Sequence, residues 1–292
     1  MLVTLLLALT LQGLTSLVPA SAGSPSVLIV TAHPDDEAMF AATVWKAVRE
    51  HGAQVDLALV TDGAGGYRFS TLAEPIYGVN LTDPAVAKAA LPAIRKKELM
   101  AGGAVVGIRN YFFLDQPDEG KILNVDSVFT ELWDGAWVQR RLKSIIEKGN
   151  YDLILTFLPV PSTHAHHKGA AILTLRALSS ILMAERPPIA GSMIGADDAG
   201  AFFSGLDGYP LSEVPPQNPV VLDREQPLGL DGRLNYQIVV NWLIAEHKSQ
   251  GTMQTYMNAG SHERFWFYGI NSAASANAGR DLLLSFGLIT ED

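Results

Sequence analysis

Short, continuous apolar runs alternate along the chain with longer segments in which apolar residues recur at helical spacing. Continuous apolar, β-branched runs are typical of strands buried on both faces of a parallel sheet. The pattern predicts strands at residues 26–31, 55–61, 110–114 and 151–158. It predicts helices at residues 36–50, 83–106, 128–148, 167–184 and 234–248. A loop-rich segment at 186–232 contains one short predicted strand near 189–194, and a closing strand is predicted at 265–268.

The alternation of strands and helices predicts the fold class. A strand, a helix and a following parallel strand are joined by a right-handed crossover, so successive helices cover both faces of the sheet. We therefore expect an α/β fold with a Rossmann-like, mostly parallel sheet. Because the 292 residues contain no repeat, low-complexity segment or linker, we expect residues 23–292 to form a single domain.

The first 22 residues carry no charged side chain and are mostly apolar between Leu2 and Leu17. Ala20-Ser21-Ala22 then offers the small residues of a cleavage site. We interpret residues 1–22 as a secretory signal peptide that is cleaved after Ala22, with an uncleaved membrane anchor as the alternative. The sequence therefore predicts a secreted or periplasmic protein, with no membrane span after cleavage.

Composition argues against several kinds of partner and chemistry. The net charge is −9, and the densest basic run is only Arg95-Lys96-Lys97. Nucleic acids and anionic membranes both favour clusters of Lys and Arg, so neither is expected as the main partner. The chain has no cysteine, so no disulfide supports the fold and no thiolate can act as nucleophile or ligand.

Ionisable side chains are dense immediately after the first and the fourth predicted strand. The first segment is His33-Pro34-Asp35-Asp36-Glu37, and the second is His164-Ala165-His166-His167. In open α/β sheets, ligands bind where the carboxyl ends of the strands meet. A catalytic zinc needs three His or carboxylate ligands and one open position for water. One His and one Asp from the first segment, with a His from the second, would supply that set.

A helix N-terminus, an iron site and a phosphate-binding loop fit the sequence less well than a zinc site. Acidic residues at 35–37 suit a helix N-terminus, but a protonated His33 is disfavoured there. A mononuclear iron oxygenase also uses two His and one carboxylate, but it generally spaces the first pair as His-x-Asp/Glu on a β-sandwich. Here the spacing is His-x-x-Asp, and strands alternate with helices. The glycine-rich loop at 63–66 matches neither phosphate-binding motif.

The run Ala32-His33-Pro34-Asp35-Asp36-Glu37, with a later H-x-x-H, resembles the PIG-L/LmbE-like family of zinc de-N-acetylases. Further similar features are Thr61-Asp62-Gly63, Arg95-x-x-Glu98 and His247-x-Ser249-Gln250. The resemblance implies a Rossmann-like fold, one zinc ion, with Fe²⁺ or Co²⁺ as alternatives, and hydrolysis of an acetamide on glucosamine or a related sugar. The expected partner is thus a small molecule or glycan with an N-acetyl group. A non-catalytic secreted carbohydrate-binding protein that retains the fold is the alternative function.

The resemblance also implies roles for individual residues. It makes three residues metal ligands: His33, Asp36 and His167. Asp35 would be the general base, which takes a proton from water activated by the metal. His164 would hydrogen-bond the amide oxygen and stabilise the tetrahedral oxyanion.

Three expectations concern residues outside this set. Arg68, in the glycine-rich loop, is a candidate for contact with sugar hydroxyls or a charged aglycone. Arg95 and Glu98 are expected to form an i,i+3 ion pair on their helix. The family's second motif usually reads His-Pro-Asp-His, whereas this chain has Ala165-His166 in the middle, so the acid that would orient His164 is missing.

Overall fold

The computed structural model describes residues 23–119, 122–193 and 203–291. The segment interpreted as a signal peptide, residues 1–22, therefore lies outside the described residues. Within the described ranges, eight strands form one sheet with the order β3-β2-β1-β4-β5-β7-β6-β8. These strands are β1 Ser26–Thr31, β2 Gln54–Thr61, β3 Ile108–Gln116, β4 Leu153–Phe157, β5 Ile189–Ser192, β6 Val220–Asp223, β7 His262–Phe267 and β8 Ile289–Thr290.

The first five strands are parallel and follow the order of a Rossmann-like half, 3-2-1-4-5. The last three strands, β7, β6 and β8, join antiparallel at one edge. The prediction of a mostly parallel α/β sheet is thereby confirmed. Strand β1 lies between β2 and β4, so the segments that follow β1 and β4 emerge side by side.

The α-helices are α1 Ala41–Trp45, α2 Glu74–Tyr77, α3 Pro84–Val106, α4 Val125–Ser127, α5 Gly135–Gly149, α6 Ala165–Ser179, α7 Gln237–Glu246, α8 Gly251–Gln254 and α9 Ala273–Ser285. Alternate residues of β1 enter two different cores, since Ile29 packs with α1, α3, α7 and α9, and Leu28 packs with α5 and α6. Helices therefore cover both faces of the sheet, as predicted. Within the described ranges, no helix is long and apolar enough to cross a membrane.

Several predicted helices differ in detail. The segment at 36–50 forms a 3₁₀ turn at Asp36–Phe40, the short helix α1 and a π-helical turn at Lys46–Glu50. The segment at 128–148 is interrupted at Trp133, and α5 starts after Asp134, whose carboxylate caps the helix by accepting from the Trp137 N–H at 2.8 Å. Short polar caps of this kind compete with a continuous helix, which periodicity alone does not reveal.

The short helices α2, α4 and α8 were not predicted, and neither were three elements at or beside the antiparallel edge of the sheet: β6, β8 and α9. Strand β6 is only four residues long and follows a proline-rich stretch, and β8 is an exposed two-residue strand. Helix α9 is rich in Ala, Ser and Gly and buries only Gly279 and Leu283. Each depends on contacts with the antiparallel edge of the sheet rather than on a strong local pattern.

Candidate metal centre

The neighbouring strands β1 and β4 bring the two ionisable segments together. The turn after β1 carries His33 and Asp36, and the loop after β4 leads into α6, which carries His167 on its first turn. All three side chains are largely buried, with 14%, 8% and 13% exposure respectively. The sheet topology thus juxtaposes the three residues that the resemblance makes metal ligands.

The polar atoms of these three residues form a compact triangle. His33 Nδ1 lies 3.0 Å from His167 Nε2, which lies 3.1 Å from Asp36 Oδ1. His33 Nδ1 lies 3.7 Å from Asp36 Oδ2. Ligands of a tetrahedral zinc ion at bond lengths of about 2.0–2.1 Å are separated by about 3.3 Å, so the triangle has the size of a tetrahedral face. Two imidazole lone pairs and a carboxylate converge there, and this donor set suits a divalent cation.

Other groups hold the triangle in place. The backbone N–H groups of Ala32 and His33 donate to Asp36 Oδ2 at 3.0 and 2.7 Å. Thr163 Oγ1 lies 3.1 Å from Nδ1 of His167, the ring nitrogen opposite the one that faces Asp36. Such contacts orient a ligand and fix the tautomer of a ligating histidine.

Electrostatics favour a charged carboxylate and a cation at this position. Burial alone would raise the pKa of Asp36, but the adjacent His167 and His33 hold it well below its usual range. Burial alone would lower the pKa of His33, but Asp118, Asp36 and Asp35 outweigh it and raise the pKa to about 9. Without a metal the cluster therefore keeps a proton on His33 at neutral pH, and a bound cation would take that proton's place.

Asp35 lies beside the triangle in an unusual backbone conformation. Its φ is 152°, a positive value that residues other than glycine rarely adopt. Its Oδ2 atom lies 3.1 Å from Nη2 of Arg95. Burial raises the pKa of Asp35, while the Arg95 guanidinium opposes that effect.

Arg95 does not form the predicted ion pair with Glu98. Both side chains are buried, and they face different loops. Arg95 pairs with Asp35 and approaches Asp118, whereas Glu98 accepts from Ser249 N at 2.7 Å and from Tyr77 Oη at 2.6 Å. Helical spacing identifies neighbours on a solvated face, but here long-range loops provide stronger partners than the i,i+3 residue.

Asp118 and His166 were missed as members of the site. Asp118 follows β3, is 7% exposed, and its Oδ1 atom lies 3.3 Å from His166 Nδ1. His166 is fully buried, and its Nδ1 atom lies 3.1 Å from His33 Nε2. The position of Asp118 just after a third parallel strand was the available signal, because all such strand ends meet at one edge of the sheet.

His164 and Arg68 lie outside the triangle. His164 caps α6, its ring centroid is 5.2 Å from that of His33, and its Nε2 atom accepts from the Ile122 N–H at 3.1 Å. Arg68 is exposed, with its guanidinium 4.8 Å from the ring centroid of Tyr67.

His247 belongs to the His247-x-Ser249-Gln250 motif and contacts the segment that follows β1. Its Nε2 atom is 2.5 Å from Glu37 Oε1, and both side chains are fully buried. The pair of His247 and Glu37 thus anchors the turn that carries Asp35 and Asp36.

Comparisons with known proteins agree with this picture. Residues 28–178 match the family described as PIG-L, GlcNAc-PI de-N-acetylase. A curated relative from Bacillus cereus, a probable N-acetyl-α-D-glucosaminyl L-malate deacetylase 2, is 29% identical over 163 residues. That match covers 56% of this chain and 65% of the relative, so it spans slightly less than two thirds of the relative's length.

Two solved structures share the fold. The first is an N,N′-diacetylchitobiose deacetylase from Pyrococcus horikoshii in complex with an inhibitor, with a TM-score of 0.52 and 18% identity over 84% of each chain. The second is an A40926 pseudoaglycone deacetylase, with a TM-score of 0.51 and 18% identity over 85% of this chain and 98% of the other. At this identity the similarity establishes the architecture of the chain.

Proposed function

Because this chain belongs to the PIG-L family of GlcNAc-PI de-N-acetylases, we propose that it is a metal-dependent hydrolase. The proposed reaction removes the acetyl group from an N-acetylated amino sugar or a glycoconjugate that carries one. The observation that carries the proposal is the triangle of His33, Asp36 and His167 with the carboxylate of Asp35 beside it. The curated relative, described as a probable deacetylase of an N-acetylglucosaminyl compound, supports the same reaction class.

The three ligands proposed for the metal are His33, Asp36 and His167. Two imidazoles and one carboxylate leave an open position, which is typical of a catalytic rather than a structural zinc site. We assign Zn²⁺, with Fe²⁺ and Co²⁺ as alternatives that accept the same donor types. When bound, the metal would supply Lewis acidity, which lowers the pKa of water and polarises the acetamide carbonyl.

Asp35 is the proposed general base. Its carboxylate pairs with Arg95 and is not among the groups whose ligand atoms converge at the triangle, so we assign it the role of accepting a proton from the attacking water rather than ligation. After attack, the same carboxylic acid would return the proton to the leaving amine. A closed structural metal site needs no such spare base, and this favours an enzyme over a carbohydrate-binding protein.

His164 is the proposed hydrogen-bond donor to the acetamide oxygen. Its ring lies next to that of His33, and Nε2 is engaged by the Ile122 N–H. Donation from Nε2 therefore requires that this contact open when substrate binds. Arg68 is proposed to contact the sugar or its aglycone, because it is exposed on the loop after β2. Replacing it with Ala should raise KM and leave metal content unchanged.

The substrate is proposed to lie outside the cytoplasm. This rests on the apolar, uncharged character of residues 1–22. A glycoconjugate, a wall fragment or a scavenged amino sugar would fit such a location.

The experiment is acetate release from a panel of N-acetylated sugars, with the purified chain loaded with one equivalent of zinc. N-acetylglucosamine, N,N′-diacetylchitobiose and a lipid-linked N-acetylglucosamine cover the substrate classes, and an O-acetylated sugar is the control for non-specific hydrolysis. We expect release from N-acetyl compounds with an unsubstituted amine as the second product. If the fully metal-loaded chain released acetate from no N-acetylated sugar of the panel, the proposed activity would be contradicted.

A further inference from the structure

Arg95 is a buried cation that joins two of the loops around the candidate site. Its side chain is 3% exposed. The guanidinium donates from Nη1 to the Gly63 carbonyl at 2.8 Å and from Nη2 to the Pro34 carbonyl at 2.8 Å. Nη2 also lies 3.1 Å from Asp35 Oδ2. One planar group thus fixes the turn after β1 against the loop after β2.

Burying a guanidinium costs free energy unless its charge and its donors are satisfied. An arginine that only stabilised α3 would be expected to pair with Glu98 on the same helix, as the sequence predicted. Here the charge is instead balanced by Asp35 and, at 3.8 Å, by Asp118 Oδ2. The buried charge of Arg95 is therefore paired with carboxylates near the metal triangle.

Asp35 needs such support because its backbone is strained. A φ of 152° is sparsely populated for any residue other than glycine, and it persists only where the surroundings over-determine it. The carbonyl immediately before Asp35 belongs to Pro34, and it accepts from the same Nη2 atom that faces the Asp35 carboxylate. Arg95 thus holds both ends of the strained unit, the preceding peptide and the side chain.

The loop after β2 is shaped to admit this guanidinium. A Cβ atom added to Gly66 would lie 2.6 Å from Arg95 Nη1, and one added to Gly63 would lie 3.2 Å from Arg95 Cδ. Gly63 also has a φ of +80°, which favours glycine. The two glycines leave the space that Arg95 fills, so the loop sequence and the arginine are fitted to one another.

We propose that Arg95 is a positioning residue that sets the orientation of the Asp35 carboxylate for proton transfer. The proposal rests on the proposed function, since it gives Asp35 its role as base. A planar fork with fixed donors is suited to this task, whereas the flexible point charge of a lysine is not. A misplacement of about 1 Å at a catalytic group can cost about 10²-fold in rate.

The primary test is Arg95→Met in the zinc-loaded full chain, assayed on whichever N-acetylated sugar the wild-type protein hydrolyses. We expect kcat to fall about 10²-fold, with KM nearly unchanged and one equivalent of zinc still bound. Arg109→Met is the matched control. Arg109 also forms a largely buried ion pair, at 2.9 Å from Asp56 on β2. That control should lose stability but keep the wild-type kcat.

A double-mutant cycle separates positioning of Asp35 from a general structural effect. If Arg95 acts through Asp35, Arg95→Met should cost little further rate in an Asp35→Asn background. A full additional loss in that background would overturn the proposal. The proposal would also be overturned if Arg95→Met kept the wild-type kcat, or if the variant lost its bound zinc along with its activity.

If Arg95→Met does not fold, Arg95→Lys decides the question. Lysine keeps the charge but not the fork, so we expect a reduced kcat with zinc retained, and a wild-type kcat would overturn the proposal. The proposed function has its own, separate failure. An inactive wild-type chain contradicts the deacetylase assignment, whereas an active wild-type chain with an equally active Arg95 variant contradicts only the positioning role.

Discussion

The carboxylate of Asp118 lies 3.7 Å from Nε2 of His33, the ring nitrogen opposite the one that faces the other two proposed ligands. His166 Nδ1 contacts both groups, at 3.1 Å from His33 Nε2 and 3.3 Å from Asp118 Oδ1. For Nδ1 of His33 to bind a metal, the ring proton must reside on Nε2, and the polar groups around Nε2 favour that tautomer.

Asp118→Asn is therefore expected to weaken zinc binding by about 10–100-fold, the usual effect of losing an acidic partner of a ligating histidine. Competition with a chromophoric chelator measures the affinity directly. Asp115→Asn is the matched control, because Asp115 lies on the same strand end but is 54% exposed and pairs with Lys96. Equal zinc affinity in the Asp118 variant and this control would show that Asp118 does not orient the ligand.

The pH dependence of zinc binding follows from the raised pKa of His33. This pKa is about 9 without metal, so the proton is present at pH 7 and must leave when zinc binds. Affinity should thus rise by about tenfold per pH unit from pH 6 upwards and level off above the pKa. Calorimetry in buffers of different ionisation enthalpy should detect release of a proton at pH 7. Binding with no proton release at pH 7 would contradict a protonated His33.

Asp118 connects these two predictions. The same carboxylate that orients His33 also raises its pKa. Removing its charge makes the proton easier to displace, which offsets part of the lost affinity at neutral pH. The defect of Asp118→Asn should therefore be larger at pH 9 than at pH 7.

The buried pair of Glu37 and His247 is expected to contribute to stability. Both side chains are fully buried, so His247→Ala would leave the Glu37 carboxylate uncompensated. Removing one member of such a pair typically costs about 3–5 kcal/mol, measured here by urea unfolding. The double variant Glu37→Gln/His247→Ala should recover part of that loss, because no buried charge remains.

His51→Ala serves as the control for the loss of a histidine, since His51 is exposed and lies 5.8 Å from the Phe286 ring, between centroids. A stability loss in His247→Ala no greater than in this control would show that the pair is not stabilising.

Gly66→Ala tests the fit of the loop after β2. The added Cβ would lie 2.5 Å from Gln250 Oε1 and 2.6 Å from Arg95 Nη1, so one of these side chains must move. We expect a loss of about 1–3 kcal/mol from overpacking, together with a lower kcat. Gly229→Ala is the control, because no atom lies within 4 Å of the Cβ position there. Equal stability and kcat in the two variants would contradict the close fit.

Topology predicts that the two ionisable segments meet, and the family resemblance selects His33, Asp36 and His167 among their residues. His33 and Asp36 follow one buried strand and His167 follows another, and neighbouring parallel strands deliver their loops to the same edge. Asp118 obeys the same rule after β3, but its loop contains no histidine and so did not stand out.

The partners of buried polar side chains could not be predicted from sequence. Arg95 and Glu98 are spaced as a helical ion pair, yet each binds residues of loops that are distant in sequence. Local spacing does not reveal those contacts, which form only when the turn after β1, the segment after β2 and the loop after α7 pack on α3. Strand β6 and helix α9 were missed for a related reason, since neither has a strong periodic pattern of its own.

The central claim is that a metal held by His33, Asp36 and His167 is required for removal of an N-acetyl group. The most direct measurement is acetate release from the best N-acetylated sugar by the chain after chelation, during titration with zinc. Activity should be absent without metal and should rise linearly to a maximum at one equivalent, and His33→Ala should neither bind zinc tightly nor release acetate. Acetate release that persists in the chelated chain, or that is equal in His33→Ala, would contradict the account.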